Sequence, residues 1–106
     1  MEFKDFVLDK LKNAGEVKAR AMVGTYNIVL NGVNLGLICT GMCDDGRWYL
    51  KKTNAGDDFL AKNNMKLETG INGKSYIITD FSNTDVLCEL AKITCRELRK
   101  IKSLKE

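Results

Sequence analysis

Apolar residues recur at helical spacing at the start of the chain, as Phe3, Phe6, Val7, Leu8, Leu11 and Ala14. They predict an amphipathic helix over residues 2–14 with a charged back, and Gly15 stands where a left-handed helix terminus takes glycine. From Val17 the period falls to two. Val17, Ala19, Ala21 and Val23 share one parity, and after Gly24 the apolar role passes to Tyr26, Ile28 and Leu30. This change predicts one strand over residues 17–30, bulged or bent at Gly24, where a missing Cβ costs least. Asn31-Gly32 then predicts a type I′ hairpin, with Val33–Cys39 as the returning strand and Leu35, Leu37 and Cys39 on one face.

Residues 40–46 read as a loop. Residues 47–53 read as the next strand, with Trp48 and Leu50 inward and Tyr49 and Lys51 outward. A short helix over residues 55–63 follows, its first turn holding Asp57 and Asp58, as the helix dipole prefers. Residues 65–71 and 74–80 pair across Asn72-Gly73, and Ser82 with Asp85 predicts the cap of a last helix running to about Lys102. The order α-β(3)-α-β(2)-α predicts an α+β domain over residues 1–106, a mainly antiparallel five-stranded sheet with helices packed on it.

The last helix is apolar around more of its girth than a surface helix needs. Val86, Leu87, Leu90, Ile93, Thr94, Leu98, Ile101 and Leu104 cover an arc of roughly 140°, and Cys88, Ala91 and Cys95 widen it to about 220°. Either its own domain clasps it on two sides, or the stripe Cys88–Ala91–Cys95–Leu98 meets a partner.

Composition bounds the function. The chain has 106 residues, 44% hydrophobic and 29% charged, which fits one unstapled globular domain. The acidic N-terminus lacks the pattern of a secretory signal, and no apolar run approaches the roughly 20 residues that cross a bilayer, so a cytoplasmic protein without membrane contact is expected. The net charge of +3 lies at the C-terminal end: the last fifteen residues carry +4 and the rest −1. Such a run ordinarily complements a helix C-terminus; without interleaved aromatics it offers nucleic acid only weak, salt-dependent contact.

Histidine is absent. No Ser-His or Cys-His nucleophile pair can be built, and no imidazole is present for proton transfer near neutral pH. The four cysteines, Cys39, Cys43, Cys88 and Cys95, fit a zinc site poorly. Seven residues along a helix separate Cys88 from Cys95 by about 10 Å, too far for a tight ligand pair or a disulfide. They read as small buried hydrophobes in a reducing compartment. Asp44-Asp45 and Asp57-Asp58 have local structural reasons, and neither a P-loop nor a dinucleotide fingerprint occurs. No catalytic residue, cofactor or metal ligand is therefore assigned. Arg47, Tyr49 and Lys51 leave one strand on the same side, and Arg20 also leaves the core. They form a candidate interaction surface.

Arg20, Met22, Val23, Gly24 and Tyr26, followed by Trp48, Tyr49, Leu50 and Lys51, resemble the N-terminal domain of the TfoX/Sxy competence regulators. That pattern pairs an Arg-x-Met-Phe-Gly-x-Tyr segment with Leu-Tyr-Leu-Lys, and the element order follows over nearly the whole chain. Val23 stands where the family has an aromatic residue, shrinking one core contact, and the loop carrying Cys43 is longer than the family's turn. The resemblance implies the α-β(3)-α-β(2)-α fold and a part in regulating DNA-uptake competence, with members acting as coactivators beside a DNA-binding regulator. Full-length members add a C-terminal helical domain, for which this chain leaves no room.

The expectation is a non-enzymatic regulatory protein working through protein contacts and able to form a homodimer. Its contact residues are Arg20, Tyr26, Arg47, Tyr49, Lys51, Cys88 and Cys95, with Met22, Gly24, Trp48 and Leu50 as structural motif residues. The alternative is a YjbR-like module that binds a ligand or nucleic acid through the basic C-terminal helix.

Overall fold

In the computed structural model, residues 2–39, 46–70 and 72–105 are described, without the side chains of residues 103–105. Helix α1 (Phe3–Leu11) ends in a 3₁₀ turn and leads into strands β1 (Val17–Met22), β2 (Thr25–Leu30) and β3 (Val33–Cys39). Strand β4 (Trp48–Lys51), helix α2 (Asn54–Lys62), strands β5 (Glu68–Gly70) and β6 (Ser75–Ile78), and helix α3 (Thr84–Lys105) follow. The strands form a six-stranded sheet in the order β1-β2-β3-β4-β6-β5, with every neighbouring pair antiparallel. This is an α+β fold with its helices on the sheet.

The sixth strand comes from the segment predicted as one bent strand. Met22 pairs with Thr25, so Val23-Gly24 is a hairpin turn, with Gly24 at φ 74°. A two-residue reversal and a bulge both switch the parity of the apolar residues, and this one reverses the chain. Val23 consequently lies fully exposed at the turn and makes no core contact, and Met22 beside it is 55% exposed. The predicted Asn31-Gly32 turn is present, with both residues at positive φ (49° and 83°), as type I′ requires.

Strand β3 departs from simple alternation. Ile28 pairs with Gly36 and Val29 with Asn34, leaving Leu35 as the extra residue of a bulge. Leu35 and Ile38 are fully buried while Leu37 turns to the other face, so the predicted set Leu35, Leu37 and Cys39 is divided. Gly36 is at φ 145°, and a Cβ there would stand 1.9 Å from the Tyr49 carbonyl oxygen. Only glycine lets β3 lie this close to β4.

All three helices cover one sheet face, over a core that includes Ile28, Leu30, Leu35, Ile38, Trp48, Leu50, Tyr76 and Ile78. Helix α3 packs against β2 and β3 and against both α1 and α2. Its apolar arc is thus covered by its own domain as far as Cys95, while Leu98 is half-buried and Ile101 stays 39% exposed. Cys88 Sγ donates to the Lys10 carbonyl at 3.3 Å and Cys95 Sγ to the Leu30 carbonyl at 3.4 Å, and Ala91 between them is fully buried. The cap of α3 is Asn83, whose Oδ1 accepts from the Val86 N–H at 3.2 Å. Ser82, expected in that role, instead gives its backbone N–H to Asp80. Phe81 seats edge-on against Phe3 and Phe6, with ring centroids 5.7 and 5.3 Å away, and fastens the start of α3 to α1. No described helix is long and apolar enough to cross a membrane.

Gly36→Ala should lower unfolding stability by about 3 kcal/mol or more, through a positive φ and a backbone collision together. Urea denaturation checks this; a loss under about 1 kcal/mol would mean that β3 can move away from β4 cheaply.

Candidate functional site

No described helix covers the second face of the sheet. Strand register sets one row of side chains across it: Arg20, Asn27, Leu37, Tyr49, Ile77 and Glu68, each paired with the next. Six strands place the ends of this row about 24 Å apart. Leu37, Tyr49 and Ile77 are half-buried in the middle, and Arg20 and Glu68 are exposed at opposite edges. Alternation in β4 makes this arrangement. Trp48 and Leu50 enter the core, so Tyr49 and Lys51 must face out.

The predicted surface residues therefore fall into three places. Arg20, Tyr49 and Lys51 share the open face. Arg47 stands beyond the far end of β4 from Lys51 and lines a different cavity, with Met65 and Glu68 among others. Tyr26 pairs with the core residue Ile38 on the helix-covered face, where Lys4 sits 5.5 Å above its ring. Cys88 and Cys95 face inward and offer nothing to a partner while the domain is folded, which corrects the expected contact stripe. Their burial follows from α3 being gripped by α1 as well as by the sheet. Of the motif residues, Trp48 and Leu50 are fully buried, whereas Met22 and Gly24 lie at the exposed β1–β2 turn. Cys43 and the pair Asp44-Asp45 lie outside the described residues.

The open face runs into a groove of about 720 Å³ where β3 begins, β4 ends and β6 begins. Asn27, Leu37, Tyr49 and Lys51 line it from the sheet, Lys52, Thr53 and Asn54 from the start of α2, and Glu97, Leu98 and Ile101 from α3. None of this was legible as a set in the sequence, because its parts come from segments far apart in the chain. Alternation in the sequence marked only Tyr49 and Lys51 as outward, while Ile101, 39% exposed in the structure, read there as part of the apolar arc of the last helix.

A polar cluster fixes one wall of this groove. Thr53 caps α2 by accepting the Gly56 N–H at 3.0 Å. Lys52 Nζ donates to Asp57 Oδ2 at 2.6 Å, and the Tyr76 hydroxyl donates to Asp57 Oδ1 at 2.5 Å. The hydrogen bond from Lys52, then that from Tyr76, holds the Asp57 carboxyl below its ordinary value. Burial, followed by the neighbouring carboxylate, pushes the Tyr76 hydroxyl up. Tyrosine kept protonated and aspartate kept ionised make a clasp between helix and sheet, with neither group poised for proton transfer near neutral pH.

At the other end of the sheet's first hairpin, Asn31 ties three elements together. Its Oδ1 accepts from the Glu16 N–H at 2.9 Å, its N–H donates to the Glu16 carbonyl at 2.8 Å, and its carbonyl accepts from Arg99 at 2.8 Å. This anchors the late turns of α3 beside the groove. Among the described residues no cluster of three or more His, Cys, Asp or Glu side chains is placed to hold a metal ion. Comparison with family models, curated proteins and solved structures finds no match for this chain.

Asp57→Asn should cost about 1 kcal/mol at pH 7, modest because the carboxylate is partly exposed. The wild-type contribution is present above the unfolded carboxylate value near pH ~4 and is lost as pH falls through the depressed folded value. Urea titrations between pH 7 and the acid limit should therefore show the two proteins converging in stability as Asp57 protonates.

Proposed function

We propose that this protein is a non-enzymatic regulatory protein, like the N-terminal domain of the TfoX/Sxy competence regulators, and that it acts by binding another protein through the open sheet face. One observation supports this reading above the others. The row from Arg20 through Leu37, Tyr49 and Ile77 to Glu68 combines an apolar middle with charged ends on a face that no described helix covers. That is the anatomy of a protein-contact patch, apolar at the centre and polar at the rim. The motif residues of the resemblance fit the same reading: Trp48 and Leu50 root β4 in the core and thereby present Tyr49 and Lys51.

Affinity capture from a lysate of the native host, with quantitative mass spectrometry, tests the reading. A partner held by the wild type should be lost, by about tenfold or more, from Ile77→Asp and Tyr49→Asp variants that keep the wild-type circular dichroism. Capture that ignores both substitutions would remove the open face from the account. Titration with duplex DNA at about 50 and about 200 mM salt supplies the competing outcome. Saturable binding at the higher salt would favour a nucleic-acid module.

A further inference from the structure

The groove beside Lys51 continues around the end of the sheet. A second cavity of about 670 Å³, formed by Gly32, Val33, Arg99 and Lys102, shares the residues Asn34, Lys51, Leu98 and Ile101 with the first. Both lie open along their length, so together they make a channel suited to a chain segment. A compact small molecule would leave most of its own surface in water there. The channel has an apolar floor and a basic rim. Leu37, Leu98 and Ile101 supply the floor. Lys51, Lys74 and Lys102 stand on the rim, and none makes an ion pair with a described carboxylate.

We propose that this channel binds a short acidic segment of a partner protein, seating one or two large apolar side chains on Leu98 and Ile101 while its carboxylates meet Lys51, Lys74 and Lys102. The proposal rests on the protein-contact reading and specifies the partner's chemistry. Charge complementarity selects the occupant. Three lysines without an ion-pair partner among the described residues, against Glu97 as the one described carboxylate in the lining, favour an acidic ligand and steer its approach. The floor decides between acidic ligands. Phosphates laid over leucine and isoleucine would lose hydration with little return, whereas an apolar side chain gains by burying there. Arg99 is already held by the Asn31 carbonyl, and Tyr49 is the one aromatic side chain in the lining, so the channel lacks the series of stacking platforms that single strands use.

Selection of displayed random peptides, about twelve residues long, on the full chain tests this. Enriched peptides should be acidic and carry at least one large apolar residue. Their affinity, read by fluorescence anisotropy, should fall about tenfold or more in a Lys51→Glu/Lys74→Glu protein and fall with added salt. Replacing the apolar residue of the peptide by serine should cost a similar factor. Lys62→Glu, on the exposed back of α2, should bind as the wild type does. Enrichment without acidic bias, or peptides indifferent to the lysine changes, would overturn the channel assignment. Host-protein capture through Ile77 and Tyr49 could still stand after that result, which separates the two failures. A thymidine oligonucleotide of about twenty nucleotides that competes with the peptides and binds more tightly would also overturn it, assigning the channel to nucleic acid.

Discussion

The approach of β3 to β4 at Gly36 is the constraint on which the working surface depends. With 1.9 Å between the Tyr49 carbonyl and the place a Cβ would occupy, any side chain at this position forces the strands apart. The bulge at Leu35 lies immediately before it, and the two act together. Leu35 is delivered to the core beneath the helices, while Leu37 emerges beside Tyr49 on the uncovered face. One local irregularity thus serves both sides of the sheet: it completes the core and builds the middle of the exposed row.

The helix layer supplies the other half of the arrangement. Helix α3 packs chiefly against β2, β3 and both other helices, and it buries Cys88, Ala91, Thr94 and Cys95 in doing so. Its breadth of apolar surface is a packing requirement of the fold. The helix then outlasts its cover, and its later turns, held at Arg99 by Asn31, bring Leu98 and Ile101 to the end of the sheet. Asp57 does the same for α2, drawing its first turn onto Tyr76 and Lys52. The groove is the space left between two helix ends, each fastened by named hydrogen bonds, and the strand ends of β3, β4 and β6.

Much of this was legible from local patterns. The Asn-Gly turn at 31–32, the alternation in β4 and the helical periodicities are each decided by neighbours in sequence, and each appears where expected. The departures come from effects that local patterns do not carry. A hairpin at Val23-Gly24 and a bulge leave the same parity signature, and what separates them is which strand lies opposite. Leu35, Leu37 and Cys39 alternate like a single face, yet the register with β2 divides them. The helix begins at Thr84, one residue later than a Ser82 cap would need, so the residue in the capping position is Asn83, and its Oδ1 takes the Val86 N–H. The groove was invisible because Asn34, Lys51, Lys74 and Ile101 meet only after folding.

The central claim is that the exposed sheet face and its groove are the working surface, while the cysteine-bearing side of α3 is interior. Carbene footprinting of the chain, alone and with a captured partner, tests it most directly. Labelling of Leu37, Tyr49 and Ile101 in the free chain, reduced on complex formation, with Cys88 and Cys95 unlabelled in both states, is the predicted result. Labelled cysteines in the free chain, or protection confined to surfaces away from β4 and the end of α3, would contradict it.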